Sequence, residues 1–155
     1  DIFTFYLSHP FVSREYIRRW ELGFEERHPN IALLNPFYDV DGDGREDVRI
    51  RDEGGTIEKS KSYNWKLVMR DEIGIAFSRG IIGIVDYNSS KSYGAPMEFV
   101  YGRMLAKNPK LLICTNGDHE HAWLQTHFHQ VYTSFEDFEE DVERRVKKVK
   151  RKWGF

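Results

Sequence analysis

The sequence predicts an α/β fold, an open and mostly parallel sheet wound on both faces by helices. Two observations carry this: short apolar runs alternate with segments of helical periodicity along the chain, and one of those runs is apolar throughout. The 155 residues are close to the commonest size of one domain, so residues 1–155 are read as a single unit.

The elements follow in order. Residues 2 to 7 form the first strand, and a helix follows from about Ser13, where serine is a good N-cap and Tyr16, Ile17, Trp20 and Phe24 recur at helical spacing. His28-Pro29-Asn30 ends that helix, and Ile31 to Leu34 reads as the second strand. A polar stretch from Asn35 to about Lys61 is longer than most loops, and such loops are often functional. Trp65, Val68, Met69, Ile73 and Phe77 mark a second helix, leading into Ile81-Ile82-Gly83-Ile84-Val85-Asp86, the pattern of a buried parallel strand. A third helix spans about Met97 to Lys107 and is broken by Asn108-Pro109. Leu111 to Cys114 is the fourth strand and Phe128 to Tyr132 the fifth. The last helix opens at Ser134, with Asp137 three residues on, and runs to about Lys152.

Composition excludes several function classes. A net charge of −2 offers no general attraction to nucleic acid or to an anionic membrane. The basic run from Arg144 to Lys152 lies opposite Glu136, Asp137, Glu139 and Glu140 on the last helix, an arrangement that complements the helix dipole without any nucleic-acid partner. No apolar run approaches the roughly 20 residues needed to span a bilayer. With no signal-peptide pattern and Cys114 as the sole cysteine, a cytoplasmic location is expected.

Ligands of open α/β sheets bind beyond the carboxyl ends of the strands, where the strand order switches direction. Residues just past the strands, Ser8, His9 and Pro10, Asn35, Pro36 and Phe37, Asp86, Tyr87 and Asn88, Thr115 and Asn116, are therefore expected to converge on one crevice. Glu98 opens the helix after the third strand, so its carboxylate is expected to face the same crevice. A carboxylate there can capture an oxocarbenium-like sugar, and a second acid can serve the leaving group. It can equally be an acid that stabilises a helix N-terminus.

At these residues the sequence resembles the nucleoside 2-deoxyribosyltransferase family. The resemblance rests on Tyr6-Leu7-Ser8-His9-Pro10-Phe11, on Asp71 or Glu72, on the run Ile81 to Val85, and on Gly94-Ala95-Pro96-Met97-Glu98 followed by Phe99, Val100, Tyr101 and Gly102. It implies a flavodoxin-like, doubly wound, five-stranded parallel sheet of order 2-1-3-4-5. It implies that Glu98 is the nucleophile, with Asp71 and Asp86 as further catalytic acids. Tyr6, Ser8, Pro36, Phe37, Glu72, Ser92, Gly94 and Met97 become candidate substrate-binding residues. So do Asn116 and Trp123, from the region through which a neighbouring subunit completes the family's pocket. The implied partners are deoxynucleosides, free nucleobases and further copies of the chain, with no nucleic acid or membrane, and no cofactor is required. Ser92 stands where the transferases carry aspartate. With Ser8 it resembles the related 2'-deoxynucleoside 5'-monophosphate N-glycosidases, for which Arg14 would be a further phosphate donor. A third reading is a non-catalytic nucleotide-sensing module on the same fold.

The run Asp39-Val40-Asp41-Gly42-Asp43-Gly44-Arg45-Glu46-Asp47 carries the acids of a calcium loop, with Ile50 where the bidentate glutamate would stand. It is either a structural calcium site built on Asp39, Asp41, Asp43 and Asp47 or a solvated turn. His119, His121, His127 and His129 lack the spacing of a zinc helix motif, and Cys114 at a strand end suits inert packing.

Overall fold

The computed structural model describes residues 2–38, 61–105, 107 and 109–148. Among these residues the strands are β1 (Phe3–Ser8), β2 (Ile31–Leu34), β3 (Gly80–Val85), β4 (Lys110–Cys114) and β5 (Gln130–Tyr132). The helices are α1 (Arg14–Arg27), α2 (Lys61–Phe77), α3 (Gly94–Met104), α4 (Ala122–His127) and α5 (Phe135–Lys148). All four strand pairings are parallel and the sheet order is β2-β1-β3-β4-β5, the flavodoxin-like arrangement. The chain leaves β1 toward β2 on one side and toward β3 on the other, so the switch point lies between β1 and β3.

Two apolar clusters fill the two faces. On one, Phe5, Leu7, Ile82, Ile84 and Ile113 meet Ile17 and Phe24 of α1 and Phe138 and Val142 of α5. On the other, Tyr6, Ile81, Val85, Leu112 and Cys114 meet Ile75 of α2 and Ala95 and Phe99 of α3. Alternate strand residues serve opposite faces, as the two-residue period of a strand requires. β3 is buried along its whole length, which explains why its run carries no polar alternation.

Local boundaries differ from the sequence reading in instructive ways. α1 starts after a 3-10 turn at Phe11–Ser13, and the Ser13 side chain does not cap it. The hydroxyl instead donates to Asp86 Oδ2 at 2.6 Å. Its oxygen accepts from Asn88 Nδ2 at 3.2 Å, and at φ −91° and ψ 1° the residue lacks the extended backbone that aims a capping oxygen at the helix amides. α3 begins three residues earlier than expected: Ser92 Oγ accepts from the Ala95 amide at 3.4 Å, and Pro96 falls in the first turn, where a missing N–H costs nothing. It ends three residues earlier too. Lys107 turns back instead, its amide bonding the Gly102 carbonyl and its Nζ the Ser78 carbonyl at 2.7 Å. β5 is shorter than read, since the His129 amide already pairs with the Lys110 carbonyl while Phe128 packs inward. The expected capping at Ser134 is present, its Oγ accepting from the Asp137 amide at 3.1 Å. No helix among the described residues is long and apolar enough to cross a membrane.

Candidate active site

A cavity of about 550 Å³ opens at the C-terminal edge of the sheet near the switch point. Its walls are mostly apolar, with Phe11, Phe37, Val68, Ile75, Met97 and Tyr101 among the lining residues, and three carboxylates face into it: Asp71, Glu72 and Glu98. Apolar walls with a few convergent polar groups are the usual form of a small-molecule site.

Glu98 sits in the first half of α3. Tyr6 Oη donates to its Oε2, and Ser8 Oγ donates to its Oε1 at 3.0 Å. Tyr6 and Ser8 are two residues apart on β1, so both project to the sheet face that α3 covers. Ser8 is the last residue of β1, paired with Gly83, rather than a residue beyond it. The height of α3 above the sheet has a local cause. A Cβ at Gly83 would come within 2.7 Å of the Phe99 ring and 2.8 Å of the Phe128 ring. Only glycine lets Phe99 lie that close to β3, and Phe99 follows Glu98 in sequence.

Asp71 and Glu72 both line the cavity from α2. Arg70 Nη2 donates to Asp71 Oδ1 at 3.0 Å and to the Pro36 carbonyl at 3.2 Å, tying α2 to the segment after β2. Pro36 and Phe37 form the wall there, and Phe37 meets the rings of His9 and Phe11 edge-on at 4.9 and 5.4 Å. Ser92, Gly94 and Met97 line the opposite side, beside Lys91 and Tyr93.

His9 is buried behind this wall in a polar network. Asn35 donates through Nδ2 to Glu21 Oε2 at 2.8 Å and accepts through Oδ1 from the Phe37 amide at 3.1 Å. That fixes the amide orientation and makes His9 Nε2, 3.1 Å from Asn35 Oδ1, the donor. Glu21 is fully buried and also takes Arg18 Nη1 at 3.0 Å. Burial pushes the His9 imidazole down to about 4, against the opposing pull of the Asn35 bond, the Pro10 carbonyl and the Asp86 charge.

The expected single crevice is divided in two. Asp86 follows Val85 and takes the opposite sheet face from Glu98, toward α1. Its Oδ2 accepts from Ser13 and Tyr16, and its Oδ1 accepts from the Asn88 amide at 2.8 Å. Asn116 and Trp123 do not line the Glu98 cavity either. They border an adjoining depression with Asp86, Ser89 and His121. Arg14 lies over the Phe11 ring, 4.0 Å from its centroid, and does not line the cavity.

No family model and no curated protein matches the sequence. Among solved structures, the chain is similar to a 2-deoxyribosyltransferase from the psychrotolerant bacterium Bacillus psychrosaccharolyticus, described as a biocatalyst for synthesis of antiviral and antitumoral nucleosides. The TM-score is 0.62 at 17% identity, and the match covers 88% of this chain and 90% of that one. This chain has the fold of a 2-deoxyribosyltransferase. On that fold Glu98, Asp71, Glu72, Pro36, Phe37, Ser92, Gly94 and Met97 line one cavity, and Tyr6 and Ser8 hold Glu98 from the sheet without lining it.

Several lining residues were not among the candidate site residues of the sequence reading. Tyr101 stands three residues after Glu98 and Val68 three before Asp71, so one-turn neighbours of the candidate acids were the available signal. Phe11 and Lys91 carried no such signal. Asp39, Asp41, Asp43 and Asp47 lie outside the described residues. Among the described residues no group of three or more histidine, cysteine or acidic side chains is arranged to hold a metal. His127 is buried against the Trp123 carbonyl at 2.7 Å, and His129 Nδ1 accepts from the Lys110 amide at 2.9 Å.

Proposed function

We propose that the chain exchanges the base of a 2'-deoxynucleoside through a covalent intermediate on Glu98. The Glu98 carboxylate attacks C1', and the electron pair of the C1'–N bond leaves with the base, which gains its proton from a cavity acid, Asp71 or Glu72. The sugar is then held as an ester of Glu98. A ring nitrogen of a second base attacks C1' from the face the first one left, forming the new N-glycosidic bond, releasing the Glu98 carboxylate and giving its ring proton to the acid that protonated the first base. Every group in this sequence is a side chain of the protein, and no cofactor enters it. The observation that carries the proposal is a carboxylate held at both oxygens by strand hydroxyls at a mostly apolar cavity that two further carboxylates line. The fold shared with a 2-deoxyribosyltransferase supports it.

A second reading has a specific observation in its favour. Lys91 and Ser92 place a cation and a hydroxyl on the cavity wall, a pairing suited to a phosphate, and water in place of the second base would make the protein a 2'-deoxynucleoside 5'-monophosphate N-glycosidase. One assay separates the two. A deoxynucleoside incubated with a different free base gives a new nucleoside by chromatography if the first reading holds. Free deoxyribose 5-phosphate and base, formed only from the 5'-monophosphate, identify the second. Turnover of neither, with tight ligand binding, identifies a nucleotide sensor. Glu98→Ala abolishes turnover under both enzymatic readings, and retained activity would overturn both.

The proposal includes a homo-oligomer. Trp65, Val68, Ile73, Met97, Met104 and Trp123 are large apolar side chains left exposed on α2, α3 and α4. Of these, Met97 and Trp123 border one apolar depression with Val100 and Leu124, and an exposed apolar patch marks an interaction surface. Asn116 and Trp123, which stand away from their own chain's cavity, are the candidates to close a neighbour's. Sedimentation of the purified protein as a monomer at micromolar concentration would remove this part of the proposal.

A further inference from the structure

We infer that Ser8 is a positioning residue for the Glu98 nucleophile and takes no part in holding the substrate's 5' end; the inference rests on the reading of Glu98 given above. Ser8 is fully buried and is absent from the cavity lining, so a ligand in the cavity does not reach its hydroxyl. That hydroxyl donates to Glu98 Oε1 at 3.0 Å. The other carboxylate oxygen belongs to Tyr6, two residues earlier on the same strand face. A carboxylate held at one oxygen still swings about its terminal torsion, which is broad for glutamate. Held at both, it keeps one plane at the wall of the cavity. The donors lie on a strand hydrogen-bonded on both edges, the most rigid part of the fold, so the nucleophile is aimed by the sheet rather than by its own helix.

Two effects follow for Glu98. Its orientation is preset before the sugar arrives, which lowers the barrier to attack rather than tightening substrate binding. Each donor also favours the charged carboxylate. The other titratable groups facing this cavity are His9 after β1, Asp71 and Glu72 on α2, Lys91 and Tyr93 ahead of α3, and Tyr101 on α3. Of the hydrogen-bond donors identified on Glu98, Tyr6 and Ser8 both come from β1, and Ser8 can be removed with the loss of one oxygen atom.

The test is Ser8→Ala on the full chain, assayed with a deoxynucleoside and with its 5'-monophosphate, whichever is turned over. The expected result is a fall in kcat of about ten- to hundredfold, the size of one hydrogen bond to a charged group. KM stays within about twofold, and the acid limb of the kcat/KM profile moves upward in pH. A rise in KM confined to the 5'-monophosphate, with kcat retained, would overturn the inference and make Ser8 a phosphate ligand. An unchanged kcat with an unmoved acid limb would overturn it as well. Thermal unfolding of the same variant separates a structural role, in which activity falls only in step with a lowered Tm while the acid limb stays in place. Base release by the unsubstituted protein is measured alongside: its absence defeats the reading of Glu98 itself, a failure distinct from any outcome with Ser8→Ala.

Discussion

Glu98 and Asp86 lie on opposite faces of the sheet, and each carboxylate is held by one tyrosine and one serine, Tyr6 with Ser8 for the first and Tyr16 with Ser13 for the second. The difference lies in what remains. Asp86 also takes the Asn88 amide on its second oxygen, its own amide bonds Ser89 Oγ, its carbonyl bonds the Ser89 amide, and it is 5% exposed. It fastens the start of α1 to the loop after β3. Glu98 has the same kind of donors but opens on a cavity. Similar first contacts thus make a joint in one place and a candidate nucleophile in the other, and the cavity beside Glu98 marks the difference.

The largest effect expected on this comparison is that of Glu98→Gln. Base exchange falls by roughly three orders of magnitude or more, while the Tm stays within a few degrees because the amide oxygen can still accept a bond from β1. Asp86→Ala gives the converse. It strands three donors in a buried place, at about 1–3 kcal/mol for each that finds no water. A loss of about 3 kcal/mol lowers the Tm by roughly 6–12 °C in calorimetry. A variant that lost all turnover with an unchanged Tm would show Asp86 to be more than a joint.

His9 adjoins both regions, lining the Glu98 cavity and feeling the charge of Asp86. Its folded-state value of about 4 lies below the ordinary 6.5, so between these the unfolded chain binds a proton that the folded one refuses. The stability it contributes is complete above about pH 6.5 and is lost as the pH falls toward 4, by about 3 kcal/mol in all. Urea unfolding at pH 7, 5 and 4 measures this slope, and His9→Gln flattens it.

The smallest contrast is between the two tyrosines. Tyr6→Phe lowers kcat by about tenfold and leaves stability nearly unchanged. Tyr16→Phe costs about 1 kcal/mol of stability and leaves kcat nearly unchanged. Burial and the adjacent Asp86 carboxylate push the Tyr16 phenol well above its ordinary value, so it remains a donor across the working pH range. Equal effects of the two substitutions on kcat would erase the distinction drawn here.

The fold was legible because its signals are local. The uninterrupted run Ile81 to Val85 could only be a strand covered on both faces, and the alternation of strand and helix periods dictated the parallel sheet. Glu98 was legible for the same reason, as an acid at the start of a helix that must follow β3. The partition of acids between two sites was not. Whether Asp86 shares a face with Glu98 turns on a one-residue step past the end of β3, and its partners Ser13 and Tyr16 lie 73 and 70 residues away. Ser13 shows the limit clearly: its sequence context predicts a cap, and only the folded chain brings Asn88 to its oxygen and Asp86 to its hydrogen. The buried network of His9, Asn35, Glu21 and Arg18 was likewise invisible, since each residue alone has the composition of a surface loop or helix.

Gly83 gives the design an unexpected economy. A methyl group there would press on the rings of Phe99 and Phe128 and raise α3 from the sheet, carrying Glu98 away from Tyr6 and Ser8 without touching the cavity. The reach between Glu98 and the strand is therefore a mechanical tolerance set by a shim in the hydrophobic layer. The placement of the Glu98 carboxylate can be tuned, by selection or by an engineer, from a position that has no chemistry of its own.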